Sequence, residues 1–197
     1  TGRIPWILEG GDSEVGLEST VLGWNDETGI PVLLRPGGIS KAAIEGLLEV
    51  ELELPSPPSV QSSEKGLSSP GMLASHYAPR KKLILLSHAF LDPPFELSAQ
   101  DLFIPAETRT LGLLIRSGKG LESAARASKL FGKEIVYRVL SETGNPSEAA
   151  RTLFRKLREL DESRADFLLA EPWESSEGLG HAIQDRLRRA AGKGVGV

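Results

Sequence analysis

At 197 residues, 40% of them apolar and 25% charged, the chain has the composition of an ordinary globular protein with room for one large or two small domains. A net charge of −4 argues against a broad electrostatic grip on nucleic acid and favours a small substrate, although Arg186, Arg188 and Arg189 form a local basic group. The chain has no cysteine, which excludes disulfides and thiolate metal sites and suits a reducing cytosol; no apolar run is long enough to span a membrane.

From the start, Ile4 to Leu8 is an apolar run that predicts a strand, and Val15 to Leu22 predicts a second after a Gly-rich turn. Asn25 to Gly29 is a turn cluster, and Ile30 to Leu34 predicts a third strand ending in Arg35-Pro36-Gly37-Gly38. Ser40 then offers an N-cap to a helix with Ile44, Leu47 and Leu48 on one face. This reads as the closing part of an α+β domain over residues 1–52. The single methionine is Met72, and a strand-like run follows Thr1 at once, so the chain is expected to be the C-terminal portion of a longer protein.

Residues 53–81 are rich in Pro, Ser and Gly and read as a linker and domain boundary. Its end is unlike ordinary linkers: Ser69 to Pro79 carries Met72, His76 and Tyr77, groups that gain by packing or hydrogen bonding, between two prolines that limit its freedom. This predicts a segment that docks.

Over 82–197 the pattern alternates strand and helix. Leu83 to Leu86, Leu111 to Ile115, Ile135 to Val139 and Phe167 to Ala170 are continuous apolar runs, as in parallel strands buried on both faces. One helix is expected from near Glu122 to Gly132, and another from Asn145 as N-cap with Pro146 at its first position. Its stripe of Ala149, Ala150, Leu153, Phe154, Leu157 and Leu160 is assigned to core. A last helix turns Leu179, Ala182, Ile183, Leu187 and Ala190 inward, with Asp185 and Arg189 as a surface pair. The fold class expected is α/β: the tail of an α+β domain, a linker, then a Rossmann-like, mainly parallel sheet with flanking helices.

Arg35, on a stiff strand end beside Gly37 and Gly38, has the geometry of a phosphate clamp, but on the residues alone a surface arginine is the simpler reading. Ser19 and Thr20 offer hydroxyls to a small polar ligand, or simply a solvated strand face. Arg116-Ser117-Gly118-Lys119-Gly120 follows a strand as a phosphate loop would, yet Gly120 stands where Ser or Thr should hold magnesium, so a plain turn is the simpler reading. His88 and His181 have no ligand-spaced partners, and no metal site or catalytic triad is legible. No residue is assigned a catalytic role.

Three segments taken together, Gly16-Leu17-Glu18-Ser19-Thr20-Val21, Leu34-Arg35-Pro36-Gly37, and Ser69-Pro70-Gly71-Met72 with His76-Tyr77-Ala78-Pro79, resemble the two-domain L-threonylcarbamoyladenylate synthases in content and order. Gly180-His181-Ala182-Ile183, Arg186-Leu187 and Ala190-Ala191 extend the resemblance to the end of the chain. It departs at Gly23 and Trp24, where the family often carries an aspartate. The resemblance implies a YrdC-type catalytic domain, incomplete here, and the family's C-terminal domain. It implies a cytoplasmic enzyme that joins L-threonine, bicarbonate and ATP, with magnesium, into threonylcarbamoyl-adenylate and pyrophosphate, for threonylcarbamoyladenosine in tRNA. The adenylate would pass to other tRNA-modification proteins, and direct contact with tRNA is left open. By resemblance Ser19 binds threonine, Arg35 and Tyr77 bind ATP, and Met72 and His76 belong to a lid. The fragment alone is expected to be inactive. Two alternatives stand beside this reading: a non-catalytic regulatory or partner-docking module, and an unrelated nucleotide-binding Rossmann enzyme with its ligand near Arg116 or Trp173.

Overall fold

The computed structural model describes residues 4–6, 8–55, 78–92, 98–175 and 177–192. It contains two sheets. In the first, β1 (Val21–Trp24) pairs antiparallel with β2 (Pro31–Arg35). The turn between them is built by Asn25, whose side-chain oxygen accepts from Glu27 N and whose Nδ2 donates to Glu53. Glu53 also accepts from Thr28 Oγ1, and its backbone bridges to Val32 on the far side of β2. Helix α1 (Lys41–Leu48) follows, capped by Ser40, whose hydroxyl accepts from Ala43 N.

Three expectations fail here. Ile4 to Leu8 forms no strand: its described residues are irregular, with Ile4, Trp6 and Leu8 exposed, because no neighbouring strand among the described residues takes up their backbone groups. The second run is strand only from Val21, and it pairs with the strand after it rather than the one before. The apolar face expected of α1 is also not buried; Leu47 is 83% exposed.

The second sheet has four strands, all parallel, in the order β3 (Leu83–Leu85), β6 (Phe167–Ala170), β4 (Thr110–Ser117), β5 (Glu134–Ser141). Successive strand residues point to opposite faces, and both faces are apolar. Ile84, Leu111, Leu113, Ile115, Phe167 and Leu169 meet Ala127 and Phe131 of α2 (Gly120–Phe131). Leu83, Leu85, Leu114, Leu168 and Ala170 meet the other layer, α3 (Pro146–Asp161) and α4 (Gly178–Ala191), through Leu153, Leu157, Leu160, Ile183 and Leu187. This is a three-layer α/β unit of the expected Rossmann-like kind. The N-cap expected at Asn145 is formed, its side chain accepting from Ser147 N and Glu148 N ahead of Pro146. Strand β5 lies at the edge of this sheet, and its Arg138 donates to the carbonyl of Tyr137 and pairs with Glu159 of α3.

Candidate functional site

The segment before β1 and the end of β2 come together as one polar cluster. Arg35 Nε donates to Ser19 O at 3.1 Å, and its Nη2 lies 3.3 Å from Ser19 Oγ. The arginine is 9% exposed, whereas Ser19 is exposed, so the guanidinium supports the serine from below. Thr20 fixes the next stretch: its Oγ1 donates to Ile39 O and accepts from Ile39 N, at 2.8 and 3.1 Å. Thr20 thus pins the loop after Arg35 to the segment before β1.

Glycine makes this approach possible at two positions. A Cβ on Gly37 would overlap the backbone of Glu18, Ser19 and Thr20. Gly16 has φ of +75°, and a Cβ there would overlap the backbone of Ala150 and Arg151 on α3. The first glycine closes the cluster on itself; the second seats it on the parallel-sheet unit.

Arg186 of α4 completes the arrangement. It is 1% exposed, its Nε meets Glu18 at 2.9 Å, its Nη2 donates to Pro36 O at 3.1 Å, and its Nη1 meets Asp185 at 2.7 Å. One buried guanidinium therefore holds the neighbour of Ser19 and the neighbour of Arg35. The sequence carried a signal for it: Arg186 sits at the 182, 186, 190 spacing of an inward apolar stripe, where a charge requires a partner. The expected Asp185–Arg189 pair is present at 2.9 Å, with Asp185 serving Arg186 as well.

Beside Glu18 lies a cavity of about 380 Å³, lined also by Ala78, Pro79, Phe154, Leu157, Arg158 and Asp161. Phe154, assigned to the core from its spacing, is half-buried and lines this cavity instead, because α3 turns that position toward Glu18. Arg80 and Lys81 anchor the chain just beyond: Arg80 Nε and Lys81 N both donate to Asp161. Burial pushes the Asp161 carboxyl up, but these bonds outweigh it and hold it below its ordinary value. Met72, His76 and Tyr77 lie outside the described residues; Ala78, next after Tyr77 in sequence, is at this cavity.

The Arg116 to Gly120 turn is engaged otherwise. Arg116 pairs with Asp92 and Glu174, at 3.6 and 3.4 Å, and a Cβ on Gly118 would overlap the carbonyl of Glu142. Below it, Glu171 is 3% exposed and accepts from Phe90 N and Arg116 N. Burial pushes its carboxyl above its ordinary value, against the pull of those two bonds. No group of three or more metal-ligating side chains occurs among the described residues, and no described helix is long and apolar enough to cross a membrane.

Residues 39–192 match the family described as threonylcarbamoyl-AMP synthase, C-terminal domain. The chain is 36% identical over 194 residues to the threonylcarbamoyl-AMP synthase of Bacillus subtilis, covering 97% of this chain and 50% of that protein. It is 32% identical over 192 residues to that of Pyrococcus abyssi, with the same coverage of 97% and 50%. Among solved structures, the crystal structure of P. abyssi Sua5 complexed with L-threonine superposes with a TM-score of 0.70 at 29% identity, covering 98% of this chain and 51% of that one. The chain thus spans about half the length of the relatives it matches.

Proposed function

The chain belongs to the threonylcarbamoyl-AMP synthase C-terminal domain family, and from that premise we propose that it is the C-terminal half of an enzyme making threonylcarbamoyl-adenylate for tRNA modification. In this reading residues 1–52 close the catalytic domain, 53–81 form a linker and lid, and 82–197 form the C-terminal domain. The unrelated nucleotide-binding enzyme is set aside by the family match. The observation that carries the proposal is the union of Ser19 and Arg35, distant in sequence, into one cluster held by Thr20 and Arg186.

The threonine amine attacks bicarbonate and water leaves, giving a carbamate; its oxygen then attacks the α-phosphorus of ATP, and the bond to the leaving pyrophosphate breaks. Such a step needs alignment, neutralised charge and exclusion of water more than a protein nucleophile. Ser19, exposed and backed by Arg35, presents a hydroxyl to threonine. Arg35 adds fixed positive charge toward the nucleotide, and magnesium arrives with the triphosphate as part of the substrate. Tyr77 reaches the nucleotide while Met72 and His76 seat the lid over the carbamate, which water would otherwise consume. That Ala78, next after Tyr77 in sequence, lines the same cavity as Glu18 supports this reading.

The exposed apolar residues before Leu54, Trp6, Leu8, Trp24 and Leu47 among them, form the surface on which we place the remainder of the catalytic domain. The 197-residue chain alone is then inactive. The test is pyrophosphate release with threonine, bicarbonate and ATP by the full-length enzyme. Arg35→Ala should lower kcat/KM by about a hundredfold, as expected for loss of a charged group that acts on the reacting phosphates. Unchanged kinetics would remove Arg35 from the site.

A further inference from the structure

A second cleft opens where the strands of the parallel sheet end, on residues to which the synthase reading gives no task. It has a volume of about 560 Å³ and is lined chiefly by Lys41 of α1, Trp173, Ser175, and His181, Gln184 and Arg188 of α4. Ligands in open α/β sheets collect outside the C-terminal ends of the strands, and this cleft follows β6 directly. We propose that it binds a small phosphate-bearing ligand, no larger than a mononucleotide.

The lining is rich in donors. Gln184 Oε1 accepts from Trp173 N, which leaves the amide NH2 of that side chain as the group available to a ligand. Trp173 is 6% exposed, and its indole N–H, lying against Gly180 and Ser175, has no acceptor among the described residues. The N-cap of α4, Glu177, makes no side-chain cap bond, so among the described residues no side chain takes up the first N–H groups of this 14-residue helix, whose first turn carries His181 of the lining. Among the described residues Arg188 has no carboxylate partner, whereas Lys41 shares its charge with Glu45 at 2.8 Å.

The nearby acids are already committed. Asp185 is held by Arg186 and Arg189, and Glu174, itself part of the lining, is paired with Arg116 at 3.4 Å. His181 records the resulting field: burial lowers its pKa, Asp185 opposes, and Arg188 and Lys41 lower it further. A neutral imidazole between two cations becomes charged when an anion arrives, so binding should take up a proton. Two cations and an imidazole that can gain a proton, beside a helix N-terminus, match a multiply charged tetrahedral anion better than a single carboxylate.

The experiment follows the histidine resonances of the intact protein by NMR, with H181N identifying that of His181. Phosphate, pyrophosphate, AMP and adenosine are titrated at constant ionic strength. The expected result is a saturable shift with the first three and none with adenosine, a raised pKa for His181 in the complex, and tighter binding as pH falls through it. AMP binding more tightly than pyrophosphate would identify a nucleotide as the source of the phosphate, and the reverse a free phosphate. R188A, at an exposed position where the fold should be unaffected, should weaken binding about tenfold, the loss of one charge-assisted contact. A shift that follows ionic strength alone, adenosine binding as well as AMP, or R188A binding like the parent would overturn the proposal. So would a short RNA duplex that shifts His181 where pyrophosphate and AMP do not. None of these measurements uses threonine or turnover, so failure here leaves the synthase reading standing.

Discussion

The two halves of the molecule are held together by different forces. The parallel-sheet unit is dry: Leu111, Leu113, Leu168 and Leu169 are each 0% exposed between two helical layers. The region up to Leu54 instead carries most of the large apolar side chains left exposed among the described residues, with Leu8 98% and Trp6 84% exposed, and its order comes from polar ties at Ser19, Thr20, Arg35 and Glu53. The first can be stable by burial alone. The second depends on directed bonds and on the surface it rests against.

The sharpest way to break that contrast is at the joint. Arg186→Ala should cost about 3–5 kcal/mol in urea unfolding, because it removes a fully buried side chain together with its bonds to Glu18, Asp185 and the Pro36 carbonyl and leaves a cavity in their place. In the full-length enzyme the same change should raise KM for threonine, with Arg186→Lys restoring part of both. A loss of stability with unchanged KM would make the joint purely structural.

Leu169→Ala, in the dry unit, should cost about 2–5 kcal/mol by the same assay, while Trp24→Ser, 70% exposed, should stay within about 0.5 kcal/mol in the 197-residue chain. In the full-length enzyme Trp24→Ser should cost more, if the rest of the catalytic domain covers that face. Equal costs in both contexts would place the missing surface elsewhere.

Glu171 gives a smaller effect with a definite sign. Its folded pKa is raised by burial, so the folded state binds its proton more readily than the unfolded chain. Its contribution is therefore most favourable below the unfolded value and declines as pH rises through the folded one. Measured from about pH 4 to 7, the stability of the parent relative to Glu171→Gln should fall with rising pH; a rising difference would mean that the two N–H bonds outweigh burial. Arg164→Ala is also a small change: its pair with Glu134 is 71% and 65% exposed and should contribute under about 1 kcal/mol.

The dry unit was also the more legible half. Continuous apolar runs flanked by Asn145-Pro146 and Gly132 specify strands and helices through local chemistry, and Phe167–Ala170 has the expected bounds. Ile4 to Leu8 misled because an apolar run states only that burial is sought, not that a partner strand is present. Ser19 and Arg35 were legible as separate weak signals; their contact depends on Gly37 admitting a second backbone, which no spacing records. Arg186 was read as part of a basic group with Arg188 and Arg189, whereas it is 1% exposed; two of its partners lie 168 and 150 positions away, beyond what local spacing records.

Strand β5 ends the parallel sheet with eight residues of backbone and, among the described residues, no strand beyond it. An open margin of that length is a template for a further strand from any chain. Arg138 occupies it, covering the Tyr137 carbonyl while Glu159 holds the guanidinium in place. The consequence is colloidal: neutralising Arg138 should leave the fold and the polar cluster intact yet turn this margin into a seam for self-association, visible as concentration-dependent light scattering during expression and storage.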